Sequence, residues 1–501
     1  MFELREYQKD LCKKAILSLN KYQRVLMMLP TGGGKTVIAS ALIDFFVDQG
    51  KRVLYIVNRK ELVDQSYNKF ASFAYHVSII KAGRKYRKMF SPDKKVQIIM
   101  IQTYFARRNK LPDLNPDIII MDEAHDGFTG SRIQQLLADY PDAKILAKTA
   151  TPCDDQGYLL EGFDHYIMDL QVSDLQELGY LAKDKVFVPV SVDLTGVRIT
   201  AGDYNENDLS ERCSRTDVIT NIVENFTKYA KEKQTLVFAV NIHHAEKLTE
   251  EFRSFGFRTE VVHSKMANPE DREKIIQAFA RKEIQILINV GVLTTGFDCP
   301  NVECVVLARP TQVERLYIQM VGRGLRITDK KKECLFLDCG NCWERFGFPS
   351  DDRIYDFKTE VTIKKKKKKE EEEELEKILI CLACKAANKP GRTFCIECGE
   401  LLQPPIFELE NNQELKEVKK QEITWDYVQQ MMDILVFQYG YNTGYSENLI
   451  RQLQKLKLDN FSEKKYLRMI IVRIKQCVKK KYKPYWIVYN LDEYFQKQQA
   501  S

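Results

Sequence analysis

The sequence predicts an α/β protein with two tandem parallel-sheet domains, followed by a small cysteine-bound ribbon and a mainly helical, basic C-terminal region. Three observations carry this. Short apolar runs alternate with helical patterns over the first ~340 residues. Each run is only a few residues long and almost wholly apolar, as strands covered on both faces by helices are. The runs fall into two series that meet near residues 170–190. The first series is Val25–Leu29, Val53–Val57, Ile98–Ile101, Ile118–Met121 and Ile145–Ala147. The second is Leu236–Ala239, Val261–His263, Ile286–Asn289, Val305–Ala308 and Leu335–Asp338. One wide sheet of ten strands is the alternative, and it is disfavoured because the chemical motifs divide between the halves.

The chain has 501 residues. At roughly 100–200 residues per domain, that is room for about three or four domains. With 44% hydrophobic and 29% charged residues, it has the composition of a globular protein, not of a disordered or fibrous one. No apolar run approaches the ~18 residues of a membrane-spanning helix. The start, Met1-Phe2-Glu3-Leu4-Arg5-Glu6, is acidic and lacks the apolar core of a secretory signal, so a cytoplasmic location is expected. Thirteen cysteines are too sparse for a disulfide scaffold and are expected as thiols or metal ligands. The net charge of +7 points mildly to a polyanionic partner.

These patterns place the first sheet domain at 1–175, the second at 176–345, and a charged linker at 346–378. The linker holds six lysines, Lys364–Lys369, followed by five glutamates, Glu370–Glu374, and reads as a solvated helix. A ribbon at 379–402 and a basic helical accessory region at 403–501 complete the chain.

The first site motif follows the first strand. Pro30-Thr31-Gly32-Gly33-Gly34-Lys35-Thr36 leads into a helix predicted over Val37–Val47, the strand–loop–helix context of a phosphate-binding loop. Glycines let the backbone curl until its N–H groups point at a phosphate chain, and the helix N-terminus adds partial positive charge. Lys35 can reach the β- and γ-phosphates, and the Thr36 hydroxyl can ligate Mg²⁺. Leu29 stands where the general motif has its first glycine. The second half of the site is Ile118-Ile119-Ile120-Met121-Asp122-Glu123-Ala124-His125, an apolar strand ending in two carboxylates. Asp122 can hold Mg²⁺ through water, and Glu123 can accept a proton from an attacking water. Together these residues specify Mg-ATP hydrolysis.

With those residues in place, the chain resembles the superfamily 2 nucleic-acid-dependent ATPases, helicases and translocases built on two RecA-like domains. The match covers about residues 1–345, with the motifs in family order. Arg5-Glu6-Tyr7-Gln8 resembles the adenine-reading glutamine motif, which implies nucleotide contacts from Tyr7 and Gln8. Pro30 to Thr36 is similar to motif I. Asn58-Arg59 with Gln65 resembles motif Ia, and Gln102-Thr103 resembles the nucleic-acid contact before motif II. Asp122 to His125 is similar to motif II, and Thr149-Ala150-Thr151-Pro152 to motif III. In the second domain, Thr295-Gly296-Phe297-Asp298 resembles motif V, implying nucleotide contacts from Gly296 and Asp298. Gln319-Met320-Val321-Gly322-Arg323-Gly324-Leu325-Arg326 is similar to motif VI. Compact bacterial and phage DEAD/DEAH-type helicases are the nearest group, and Leu337-Asp338-Cys339-Gly340-Asn341 resembles the segment that ends their second domain.

The physical consequence is a two-domain cycle. Arg323 and Arg326 lie three apart on a predicted helix and share a face. If that face meets the phosphate loop, they act as arginine fingers, and hydrolysis requires closure of the cleft. Gln319, His125, Thr149 and Thr151 are the expected couplers between hydrolysis and closure.

Cys381-Leu382-Ala383-Cys384 and Cys395-Ile396-Glu397-Cys398 are two CxxC pairs, the ligand set of a closed, structural Cys₄ Zn²⁺ site. A redox dithiol pair is the alternative. Cys339-Gly340-Asn341-Cys342 is a lone CxxC with no second pair and is expected as ordinary thiols. Between Arg451 and Lys483 twelve basic residues face only Asp459 and Glu463. Lys479, Lys480, Lys481 and Lys483, with Tyr485 and Trp486, are the expected nucleic-acid contacts there, lysines for phosphates and aromatics for unpaired bases. A helical domain with a solvated basic face is the alternative. The sequence thus predicts an ATP-dependent helicase or translocase, on DNA in preference to RNA, in replication, recombination or fork remodelling. The alternatives are an RNA helicase, a restriction-type motor, or an ATP-driven clamp that does not unwind.

Overall fold

In the computed structural model, the apolar runs become the central strands of two parallel sheets. The structure describes residues 3–58, 60–71, 77–125, 127–128, 130–154, 157–188, 192–266, 268–293, 299, 301–353, 355, 357, 379–380, 387–388, 416–418, 424–438, 449–450, 453–454, 466–474, 477 and 487.

The first sheet holds β1 (Arg24–Met28), β2 (Val53–Val57), β3 (Val77–Ile80), β4 (Val96–Met100), β5 (Ile118–Asp122), β6 (Lys144–Thr149) and β7 (His165–Ile167). Their order across the sheet is β3-β4-β2-β5-β6-β1-β7, with every neighbouring pair parallel. Parallel neighbours need crossovers, and the helices between the strands provide them. Strands β2, β4 and β5 are buried along their whole length, which is why the sequence there is mostly apolar and does not alternate. The sheet rises from five expected strands to seven. The two additions, β3 and β7, lie at its edges, where a four-residue run with a serine and a three-residue His-Tyr-Ile give weak signals.

The second sheet begins with β8 (Lys183–Val188). A small hairpin, β9 (Ile199–Thr200) and β10 (Asp203–Tyr204), follows. The sheet continues with β11 (Thr235–Phe238), β12 (Thr259–His263), β13 (Ile286–Val290), β14 (Cys304–Leu307) and β15 (Glu333–Leu337). The order is β12-β13-β11-β14-β15-β8, with a short edge strand, Lys416–Val418, beyond β8. β8 was not foreseen, because Lys-Asp-Lys at its start reads as loop.

Two compact units emerge. One comprises residues 1–169, 181–349 and 355–417, and so contains both parallel sheets. The other gathers three distant stretches, 170–180, 350–354 and 418–501. The boundary expected at 175/176 lies inside the helix Val172–Glu177, within this second unit.

The second unit has its own apolar core, including Val428, Met432 and Leu435 from the helix Trp425–Gln438 and Tyr466, Ile470 and Ile474 from the helix at 466–474. One basic residue of the C-terminal run is also buried there. Arg468 is paired with Asp174 at 2.5 Å, Glu177 at 2.5 Å and Asp352 at 3.0 Å, and Ser173 hydrogen-bonds Asp352. Arg468 therefore leaves the expected basic surface: its charge is consumed internally by carboxylates from two other stretches of chain. The lysine–glutamate linker, the cysteines expected to bind zinc, Cys381, Cys384, Cys395 and Cys398, and Lys479, Lys480, Lys481, Lys483, Tyr485 and Trp486 lie outside the described residues.

Cys334, Cys339 and Cys342 are free and buried, and burial raises the pKa of each thiol. Among the described residues there is no cluster of metal-ligating side chains. Among them, no helix is long and apolar enough to cross a membrane.

Candidate active site

The phosphate-binding loop connects β1 to the helix Lys35–Asp48, two residues earlier than the predicted helix start. Gly32 and Gly34 have φ of +86° and +87°, values L side chains rarely adopt. Gly34 also lacks room for a side chain, since a Cβ there would stand 2.4 Å from Gln8 Nε2. The helix Glu6–Lys21 brings Tyr7 and Gln8 to the loop, and Tyr7 Oη donates to the Gly33 carbonyl at 2.8 Å. Gln8 accepts from the Arg5 backbone N–H at 3.1 Å. Lys35 Nζ donates to the Leu29 carbonyl at 3.4 Å. Pro30 caps the turn by accepting the Gly33 N–H at 3.0 Å.

Asp122 ends β5 beside this loop, as the parallel-sheet topology requires of residues at strand C-termini. Its carboxylate is almost wholly buried, and both of its oxygens have protein partners. Lys148 Nζ lies 2.9 Å from Oδ1, the Glu123 N–H donates to Oδ1 at 3.0 Å, and Tyr55 Oη donates to Oδ2 at 2.7 Å. Burial alone would raise the Asp122 pKa. Lys148, Tyr55 and Lys35 outweigh it and hold the group below the usual carboxylate range. Burial raises the Tyr55 pKa, with the Asp122 charge adding to it, so the phenol stays a donor. Lys35 moves the other way: burial lowers its pKa, Lys148 and Arg323 push in the same direction, and Glu123 and Asp122 oppose. Glu123 follows with φ +50°, a left-handed conformation costing about 1–2 kcal/mol in a non-glycine residue. Such strain persists only where the surroundings impose it.

Several residues of the second domain reach this site. Gln319, on the helix Glu314–Val321, places Nε2 2.9 Å from His125 Nε2. On the other side of the ring, Nδ1 is 2.7 Å from Thr149 Oγ1. The Thr149 hydroxyl proton is committed to the Thr151 carbonyl at 3.0 Å. Thr149 must therefore accept from His125, which fixes the proton on Nδ1 and leaves Nε2 to accept from Gln319. Thr149, Thr151, His125 and Gln319 are thus joined by hydrogen bonds. Arg315 adds a bond to the His125 carbonyl at 3.1 Å.

Beyond that helix, Gly322 packs on the phosphate loop: a Cβ there would stand 2.6 Å from Thr31 Cβ. Arg323 is buried, and the Arg326 side chain passes Gly32, whose Cβ would lie 3.4 Å from Arg326 Cγ. The arginines reach the loop, but not from a shared helical face. The helix stops at Val321 with Gly322 as its cap, and Arg326 forms an antiparallel bridge with Leu181. Gly324 turns the chain against β14 and β15, where a Cβ would sit 2.5 Å from Cys334 Sγ. Lys331 Nζ pins the turn by donating to the Gly324 carbonyl at 2.5 Å.

Of the expected nucleic-acid residues, Asn58 and Gln102 lie together after β2 and β4, with Gln102 Nε2 donating to the Asn58 carbonyl at 3.1 Å. Thr103 is buried. Arg59, Gly296 and Asp298 lie outside the described residues. Lys148, Tyr55, Arg315 and Lys331 are site residues that the sequence reading missed. Lys148 had a signal, a lone lysine inside the apolar run Ile145-Leu146-Ala147 just before Thr149. Tyr55 had none, being one more bulky residue in an apolar strand.

A glycine-cradled loop, an ionised Asp122 and Thr36 at the helix start form a donor set that fits a magnesium-bound nucleotide. Two parallel-sheet domains meeting at such a loop define a two-domain P-loop architecture. Residues 1–154 match the family described as the res subunit of type III restriction enzymes, and residues 215–328 match the helicase conserved C-terminal domain. The chain belongs to the superfamily 2 helicases.

Among its relatives is Saccharomyces cerevisiae IRC3, whose name assigns it as an ATP-dependent helicase. The two are 31% identical over 67% of this chain and 51% of the yeast protein. A 51.5 kDa protein of a Lactococcus phage is 28% identical over 66% of this chain and 69% of its own length. The chain thus spans about half of the yeast relative and about two thirds of the phage one. A fragment of the HsdR subunit of a type I restriction enzyme from Vibrio vulnificus shares the fold, with a TM-score of 0.55 at 20% identity. That alignment covers 71% of this chain and 68% of the fragment.

Proposed function

We propose that this protein is an ATP-driven helicase or translocase that moves on nucleic acid, on DNA in preference to RNA, in genome replication, recombination or fork remodelling. One observation carries the proposal. The Thr149–His125–Gln319 chain links the strand ends of the nucleotide-binding domain to the helix that precedes the arginine segment. A change at the phosphates is therefore felt directly by the second domain.

Lys35 and the loop N–H groups hold the phosphates. Thr36 and Asp122 are the residues that would hold Mg²⁺, which supplies positive charge to the phosphates when bound. Glu123 accepts the proton of the attacking water. Arg323 and Arg326 offset the charge that develops as the γ-phosphate leaves. Tyr7 and Gln8 position the base side of the nucleotide, and Gly296 and Asp298 complete the pocket from the second domain.

Asn58, Arg59, Gln102 and Thr103 form the grip on the first domain. The place of Asn58 and Gln102 after β2 and β4 supports this, since ligands of open α/β sheets lie beyond strand C-termini. Lys479, Lys480, Lys481, Lys483, Tyr485 and Trp486 add a second grip. Cys381, Cys384, Cys395 and Cys398 bind a structural Zn²⁺, on the strength of their spacing. The protein works in the cytoplasm.

ATP hydrolysis measured with single-stranded DNA, duplex DNA, forked DNA and RNA tests the proposal. Stimulation by DNA, with separation of labelled strands of the best activator, is the expected result. Stimulation by RNA alone would make it an RNA helicase. Stimulation without strand separation would leave a translocase or clamp, and no stimulation by any nucleic acid would end the proposal. Metal content of the purified chain, with and without Cys381→Ser and Cys395→Ser, tests the zinc site.

A further inference from the structure

Lys148 is fully buried, yet it is no part of the nucleotide-binding motifs. It is carried on β6 in register with Asp122 on β5, so the sheet itself holds the two side chains together. Its ammonium lies 2.9 Å from Asp122 Oδ1 and 5.3 Å from the Tyr55 ring centre. An ammonium buried so deeply is costly unless paired, and Asp122 is the carboxylate that pairs it. Asp122 is also the carboxylate that faces the metal subsite. A fixed unit positive charge therefore stands behind the group expected to bear on Mg²⁺.

We propose that Lys148 is a built-in counter-charge at the metal subsite: a positioning residue that holds the Asp122 carboxylate and supplies part of the metal's positive charge in advance. The inference rests on the reading of Asp122 as the metal-facing acid. Two electrostatic consequences share one sign. Without Mg²⁺, Lys148 attracts nucleotide phosphates and partly substitutes for the metal. With Mg²⁺, the same charge repels the dication. Both effects reduce the factor by which Mg²⁺ strengthens nucleotide binding. In a partly buried site, charges a few ångströms apart interact strongly enough to change such a factor by an order of magnitude.

The test is calorimetric binding of ADP to the full chain, with and without Mg²⁺, so that no hydrolysis is read. In the native protein Mg²⁺ should tighten ADP binding. In Lys148→Met that tightening should grow by about tenfold. Lys148→Gln, which keeps a donor and loses the charge, should show the same gain, and it serves if the methionine variant does not fold. Lys148→Arg, which keeps the charge, should behave like the native chain. An unchanged or smaller Mg²⁺ effect in both neutral variants, or a gain in Lys148→Arg equal to theirs, would overturn the proposal. If ADP binding to the native chain is insensitive to Mg²⁺, the reading of Asp122 fails first, and that outcome is distinct.

Discussion

The nucleotide cleft and the C-terminal unit both bury charge, but they balance it differently. In the cleft, the charges drawn together include Lys35, Lys148 and Arg323 with Asp122 and Glu123. Charges of both signs are drawn together there beside the phosphate loop. In the C-terminal unit, one cation, Arg468, is ringed by Asp174, Glu177 and Asp352. Those carboxylates come from the 170–180 and 350–354 stretches, so the cluster joins three pieces of chain that are far apart in sequence. The first cluster is the one proposed to take in a ligand. The second is complete in itself and is structural.

The largest effects should come from emptying the first cluster. Lys35→Ala and Glu123→Gln should each lower ATP turnover by about 10²–10⁴-fold, the range for losing a catalytic proton acceptor or its equivalent. Thermal unfolding should stay near native, because neither group closes a buried pair. Near-native turnover in either variant would remove the functional half of the comparison. Arg326→Ala should keep ATP binding and lose turnover.

Arg468→Met is the converse. It leaves Asp174 and Asp352 buried without their cation, and breaking a buried pair from one side costs about 3–5 kcal/mol. Hydrogen exchange at 425–438 and 466–474 should accelerate accordingly. Adding Asp352→Asn should recover part of the loss, since an uncompensated charge is removed. Unaltered exchange in Arg468→Met would show that the ring of carboxylates is not what holds the unit.

The same contrast explains what was legible in the sequence. The fully buried strands β2, β4 and β5 announced themselves, because both faces are covered and nearly every residue is apolar, Gln97 and Asp122 apart. Lys35, Asp122 and Glu123 were legible because their chemistry needs those residue types next to a glycine turn and at a strand end. The Arg468 cluster was not legible. Its partners lie 116 to 294 positions away, and only the folded chain brings them together. Read as sequence, Arg468 was one more basic residue in a basic run. The arginine helix was misread for a local reason: Gln319 to Arg326 has helical spacing, but tight packing of Gly324 on β14 and β15 overrides it.

A third kind of buried charge lies between these two extremes. Asp338 has backbone partners instead of a cation, accepting from Trp343 N–H at 2.7 Å and Gly340 N–H at 3.2 Å. Burial pushes its pKa up to about 6, with those bonds opposing. The folded state thus binds a proton that the unfolded chain has released. Stability from this group is full below pH ~4 and is lost as pH rises toward ~6, by about 1–3 kcal/mol. Unfolding free energies should show that decline in the native chain, and Asp338→Asn should flatten it. An identical slope in the variant would assign the decline to other groups.

The smallest effect concerns the link between the domains. The His125–Gln319 bond should contribute about 0.5–1.5 kcal/mol, the net worth of one hydrogen bond. A double-mutant cycle on nucleic-acid-stimulated ATP turnover isolates it. His125→Ala and Gln319→Ala should each reduce stimulation, and the double variant should be no worse than the poorer single one. Coupling of that kind is expected because Gln319 acts through the ring nitrogen left unprotonated by the His125–Thr149 bond. Thr149→Val extends the cycle. It keeps the side-chain shape and removes the acceptor that fixes the His125 proton on Nδ1. Its loss of stimulation should disappear in the Gln319→Ala background. Additive losses would mean that strand end and helix respond to nucleotide separately, with no relay through His125.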